Sequence, residues 1–113
     1  MSGWVYMMSN RRYGTLYIGV TSDLEQRVLE HREGRQKGFV SRYALRTLVW
    51  HERHPNIVLA IQREKALKRY PREWKLNLVD ALNREWDDLF DPEYKLDNPY
   101  RPHPNTQMRD SYE

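Results

Sequence analysis

The sequence predicts a small α/β (α+β) domain, with a three-stranded sheet flanked by about three helices and an extended C-terminal tail. Three observations carry this. Two short apolar runs rich in β-branched and aromatic residues bracket a turn-rich segment, so they predict a β-hairpin. Two stretches begin at helix-capping residues and continue with apolar positions at helical spacing. The chain has 113 residues, 39% hydrophobic and 31% charged, which suits one soluble domain with a modest core.

The elements follow in order. Val5-Tyr6-Met7-Met8 and Thr15 to Val20 form the hairpin strands, with Asn10 to Gly14 as the turn. Thr21-Ser22-Asp23 offers helix N-caps, with Ser22 and Glu25 matching a capping box, and Leu24, Val28 and Leu29 give the stripe of a helix over about 23–33 that Gly34 stops. Residues 34–45 read as a basic loop with interleaved aromatic residues. Arg46 to His51, centred on Leu48-Val49-Trp50, is the third strand. Asn56 caps a helix over 57–69 that Pro71 ends. The same proline starts a third helix through about Leu82, with Trp74, Leu78 and Leu82 inward. Trp86, Leu89 and Phe90 are expected to fold back on the core. Residues 1–90 thus make the folded domain. Residues 91–113, with four prolines and few aliphatics, are expected to be an extended or partly disordered tail.

Charge is distributed unevenly. Residues 1–84 carry 16 Lys/Arg against 8 Asp/Glu, and residues 85–113 carry 3 against 8. A net +8 globule with a net −5 tail favours a polyanionic partner, because neutralised phosphates release condensed counterions. A solvated basic surface would look the same in composition. The absence of cysteine excludes disulfides, thiolate metal sites and thiol catalysis. No run approaches the roughly 18 apolar residues of a membrane span. Met1 to Met8 lacks the pattern of a signal peptide, so a cytoplasmic location is expected.

Four local features bear on chemistry. Ile57, Ala60 and Ile61 line one face of the second helix, and Glu64 is next on that stripe. A carboxylate at an inward position needs a cation, a metal or several donors, so it is either half of a structural ion pair or a functional group. Arg27 and His31 stand at i and i+4 on the first helix and share a face. Tyr6 and Tyr17 lie on adjacent strands, as packing residues or as phenols facing one site. His31, His51 and His54 form a fourth, zinc-like grouping without a cysteine to support it.

Taken in order, these residues carry a resemblance. Trp4-Val5-Tyr6, then Tyr17-Ile18-Gly19 after ten intervening residues between the tyrosines, then Arg27 and His31, then Glu64, resemble the GIY-YIG endonuclease signature. Leu16 to Leu24, and Arg63 to Arg69 followed by Trp74-Lys75 and Asn83, are similar to the small stand-alone bacterial members. The first triplet departs from the family at Trp4 and Val5, and Arg84 stands where many relatives have proline.

The resemblance spans about residues 3–90 and implies a three-stranded antiparallel sheet. It implies a metal-dependent endonuclease yielding a 5′-phosphate and a 3′-hydroxyl. Glu64 would hold one Mg²⁺ or Mn²⁺, a hard cation suited to a carboxylate, waters and a phosphate. Tyr6 would be the general base, its pKa lowered by the local positive field. Tyr17 would position water or a phosphate oxygen, Arg27 would clamp the phosphate, and His31 would relay a proton or hold Tyr6. Asn83 is expected to support the site from outside or to be structural. Arg35, Lys37, Arg42, Tyr43 and Lys68 are candidates for substrate binding. The expected partner is nucleic acid, with single-stranded or structured DNA favoured; monomer and homodimer both remain open. The alternatives are an inactive nucleic-acid-binding module and a protein-interaction domain on the same fold.

Overall fold

The sheet is built around its first strand, β1 (Gly3–Ser9), which pairs antiparallel with β2 (Leu16–Thr21) on one side and β3 (Thr47–His54) on the other. The computed structural model describes residues 2–33 and 45–90. Arg35, Lys37, Arg42, Tyr43, the rest of the basic loop before Leu45, and the C-terminal tail lie outside the described residues. The helices are α1 (Leu24–Arg32), α2 (Ile57–Lys68) and α3 (Arg72–Leu82).

Alternation along β1 sorts its side chains between two layers. Val5 and Met7 face the α2/α3 side, where they pack with Ile18, Val49, Trp50, Ala60, Leu67, Val79 and Trp86. Tyr6 and Met8 face the α1 side, where Leu24, Val28, Leu45, Leu48 and Phe90 surround them. At Gly3 the two layers set a close approach. A Cβ there would stand 2.7 Å from Ala60 Cβ and 2.9 Å from Ile57 Cα, so the glycine lets the first turn of α2 lie directly on β1.

Four expectations need correction. The cap of α1 is Asp23, whose side chain accepts from Gln26 N at 3.2 Å, and Ser22 is exposed. The Thr21 hydroxyl takes the Asp23 N–H at 3.0 Å and so moves the helix start one residue on. β3 runs three residues past His51, because its polar half pairs with Gly3, Trp4 and Val5. Ile61 is 36% exposed, and the buried stripe of α2 is Ala60, Glu64 and Leu67. Trp74 is 53% exposed, whereas Val79 is fully buried. At about 100° per residue, an i+4 row drifts by about 40° per step, which leaves Trp74 about 140° from Val79. Its ring instead meets Tyr70 edge-on, with centroids 5.1 Å apart.

The segment after α3 folds back as expected, with Trp86 and Phe90 buried. Leu89 N donates to Leu48 O at 2.8 Å. Arg32, at the end of α1, ion-pairs with Asp88 and lies over the Phe90 ring at 4.9 Å, so it ties the last turn of α1 to this segment. Asn83 is fully buried between β3 and the segment. β1 and β3 shift register at Met7/Met8, where Met7 faces Trp50 and Met8 faces Leu48, leaving Val49 as the extra residue of a bulge. Asn83 Nδ2 donates to Val49 O at 3.1 Å and to Asp87 O at 2.7 Å, and its Oδ1 accepts from Asp87 N at 3.0 Å. All three bonds go to backbone, so Asn83 holds the bulge and the C-terminal turn together.

Candidate active site

The site starts from a packing fact. Tyr6 faces Gly19 across the β1–β2 ladder, and a Cβ at position 19 would run into the phenol, with Tyr6 Cζ 2.5 Å away. The glycine of Tyr17-Ile18-Gly19 is therefore the floor on which the Tyr6 ring lies. Tyr17, two residues earlier on the same face, brings its ring centroid to 6.3 Å from that of Tyr6.

His31 closes the group from α1. It is 2% exposed, with Nε2 3.1 Å from the Tyr6 hydroxyl in a buried hydrogen bond. Its ring centroid is 5.7 Å from Tyr6 and 5.4 Å from Tyr17. Its Nδ1 is buried without a hydrogen-bond partner among the described residues. Arg27, one turn earlier, is half-buried with Nε 3.5 Å from Glu30 Oε1.

Burial dominates the protonation states here. It pushes the Tyr6 phenol well above the usual tyrosine range. Tyr17, Glu30 and Glu64 push it the same way, and Arg27 opposes them. The expected lowering of the Tyr6 pKa by a positive field is thus overturned. Desolvation first, and Tyr17 after it, outweigh the single guanidinium, and Tyr6 is a neutral phenol. Burial also lowers His31 to about 4, assisted by Arg27 against Glu30, so the imidazole is neutral at pH 7. His51, the cross-strand partner of Tyr6 on β3, is likewise held at about 4 by burial and meets the Trp4 ring edge-on.

Glu64 enters from α2. It is 8% exposed, and its charge is felt at the Tyr6 hydroxyl. Lys68 Nζ lies 2.6 Å from Glu64 Oε2, one turn along the helix. Lys68 is therefore the ion-pair partner of Glu64 rather than an isolated basic contact. Among the described residues no group of three or more His, Cys, Asp or Glu could hold a metal ion. The zinc-like histidine grouping is not assembled, and His54 Nε2 instead meets Glu52 Oε1 at 2.8 Å. A single buried carboxylate whose charge reaches the Tyr6 phenol suits a hard divalent cation that keeps several waters, not a closed protein cage.

Tyr6, Tyr17 and His31 are thus in contact, Arg27 and Glu64 act on Tyr6 through their charges, and Asn83 serves the bulge. Sequence reasoning placed His51 only in a zinc-like grouping, and it missed Glu30 and the roles of Gly3 and Gly19. The Glu64–Lys68 pair was within its reach, because i and i+4 spacing is a helix-pair signal.

Two strands and α1 bring Tyr6, Tyr17 and His31 into contact in a small α+β domain, with the charges of Arg27 and Glu64 felt at the Tyr6 hydroxyl. The chain belongs to the GIY-YIG family: residues 2–77 match the GIY-YIG catalytic domain. It is 32% identical over 66 residues to a UPF0213 protein of Streptococcus sanguinis (strain SK36), covering 58% of this chain and 76% of that one. It is 30% identical over 66 residues to one of Staphylococcus saprophyticus, covering 58% and 80%. The solution NMR structure of a UPF0213 protein from Bacillus halodurans superposes with a TM-score of 0.50 at 24% identity, covering 78% of this chain and 93% of that one. That likeness speaks for the fold. Membership of the GIY-YIG family supports a nuclease-type function. Among the described residues, no helix is long and apolar enough to cross a membrane.

Proposed function

We propose that this protein is an endonuclease that hydrolyses phosphodiester bonds in nucleic acid with one divalent cation, Mg²⁺ or Mn²⁺, at Glu64. Single-stranded or structured DNA is the favoured substrate. The observation that carries the reading is the buried hydrogen bond between Tyr6 and a neutral His31, with Arg27 and Glu64 acting on the same hydroxyl.

A phenol held above its usual pKa is a poor standing base, but it is well placed as a relay. The Tyr6 oxygen accepts a proton from the attacking water while its own proton passes to His31 Nε2, 3.1 Å away. Tyr17 orients the water or a phosphate oxygen from the same face. Arg27 neutralises charge that grows on the phosphate, and its ion pair with Glu30 holds it in place. When bound, the cation supplies Lewis-acid polarisation of the phosphate and stabilises the leaving oxygen. The net positive charge of residues 1–84 suits a polyanion, and Arg35, Lys37, Arg42 and Tyr43 are proposed backbone or base contacts.

One observation favours a structural reading. The Glu64–Lys68 pair satisfies a buried carboxylate without any cation from solution. On that reading the same residues make a binding or interaction module without catalysis. The two readings separate in one assay. Purified protein is incubated with labelled single-stranded, duplex and branched DNA and with RNA, in Mg²⁺, Mn²⁺ or EDTA, beside Arg27→Ala and Glu64→Ala. Metal-dependent cleavage lost in both variants supports the nuclease. No cleavage by the parent, with unchanged binding in both variants, supports the module.

A further inference from the structure

We propose that Lys68 is a tethered counter-ion that competes with the divalent cation for Glu64, so that occupation of the site by metal requires the Lys68 ammonium to withdraw. The inference rests on the cation site proposed above and concerns how access to it is controlled.

The geometry of α2 supplies the argument. Glu64 lies on the buried stripe with Ala60 and Leu67, while Lys68 sits at the rim with a half-exposed side chain. Its Nζ nonetheless reaches inward to 2.6 Å from Glu64 Oε2. Glu64 is N-terminal to Lys68 by four residues, the favoured order for a helical ion pair, and Lys68 occupies the last turn, where the helix dipole also favours a cation. A buried carboxylate left alone would be costly, so without metal the lysine is the group that satisfies it.

The same contact opposes a metal. An ammonium and a divalent ion on one carboxylate repel each other strongly at such separations. Lysine suits the exchange because its flexible stem can swing the half-exposed ammonium into solvent, where it is well hydrated. Lys68 therefore holds the carboxylate oriented, and it lowers the apparent affinity for the ion. The family-typical glutamate is then occupied by cation in proportion to how well metal, with or without bound substrate, outcompetes the lysine.

The test is Mn²⁺ binding alone, without nucleic acid, followed by electron paramagnetic resonance of the free ion. Parent, Lys68→Met, Lys68→Gln, Lys68→Arg and Glu64→Gln are compared, with thermal unfolding to confirm that each is folded. Lys68→Met and Lys68→Gln should bind Mn²⁺ about tenfold more tightly than the parent, the order expected for removing one like charge near the surface. Lys68→Arg should stay near the parent, and Glu64→Gln should lose the site. Binding by the neutral variants where the parent shows none would support the proposal equally. Parental or weaker binding in both neutral variants, with Glu64→Gln still losing the site, would overturn the role of Lys68 and leave the cation reading intact. No binding by any variant, or undiminished binding by Glu64→Gln, would overturn both.

Discussion

The two faces of β1 do opposite work with neighbouring residues. Met7 and its layer are apolar and fully packed, with Val5, Ile18, Ala60 and Leu67 around it. Tyr6, one residue away, meets a histidine, a second tyrosine and the charges of Arg27, Glu30 and Glu64. Burial is nearly equal on the two sides. On the Met7 side it yields stability. On the Tyr6 side it displaces titration behaviour, raising a phenol and lowering an imidazole. The difference teaches that depth alone does not single out a candidate site; depth shared by several ionisable groups does.

The sharpest way to break the comparison is substitution at the charged groups of the Tyr6 side. Arg27→Ala should reduce cleavage by about 10²–10⁴-fold, the range seen when a charge-stabilising group is removed. Its thermal midpoint should stay near that of the parent. Substitutions on the two faces of β1 should then diverge. Met7→Ala is expected to cost about 2–5 kcal/mol in urea unfolding, through lost burial and a cavity. Tyr6→Phe should cost about 1 kcal/mol, one hydrogen bond, while activity falls far more. Equal stability losses from the two would erase the distinction.

Asn83→Ala probes a buried polar residue placed outside the site. It leaves Val49 O and Asp87 without partners and should cost about 1–3 kcal/mol. The Tyr6–His31 contact should survive, as read from the His31 titration by NMR.

The pH dependence sharpens the same contrast. His31 and His51 are held near 4, below the ordinary 6.5 of the unfolded chain. The unfolded chain therefore binds protons first. This contribution to stability is complete above about pH 6.5 and drains away as the pH falls toward about 4. The loss is on the order of 2–3 kcal/mol for each imidazole. His31→Gln should flatten part of that fall in the urea midpoint. The smallest effect belongs to Trp74→Ala, which at an exposed position should change stability by about 0.5 kcal/mol or less.

The fold was legible in sequence wherever pattern and chemistry agreed. The hairpin, the Asn56 cap and the return of Trp86 and Phe90 rest on local signals that the tertiary structure keeps. The second half of β3 was not legible, because His51-Glu52-Arg53-His54 has no apolar alternation. Its pairing comes from β1, and the Arg63 guanidinium meets Glu52 from α2, with Nε 3.0 Å from Oε1. On α3 the inward Leu78 and Leu82 were legible, whereas Trp74 was not an inward residue and Val79 was overlooked. At the site, the order of Tyr6, Tyr17, Arg27, His31 and Glu64 could be read from spacing and resemblance. That Gly19 is the floor for Tyr6, and that Asn83 serves a bulge, depends on contacts between distant elements. Arg32 with Asp88, 56 residues apart, has no local signature at all.

The most direct test of the claim that the Tyr6 side is a reaction centre is a paired measurement on Glu64→Gln, which keeps the shape of the side chain and removes its charge. Cleavage of labelled single-stranded and branched DNA in Mn²⁺ and the thermal midpoint are measured on the same preparation. The account predicts loss of cleavage with a midpoint equal to or above that of the parent, because a functional carboxylate is held at some expense to stability. Retained cleavage, or a collapsed midpoint in a protein whose parent cleaves nothing, would contradict it and make Glu64 a structural ion-pair residue.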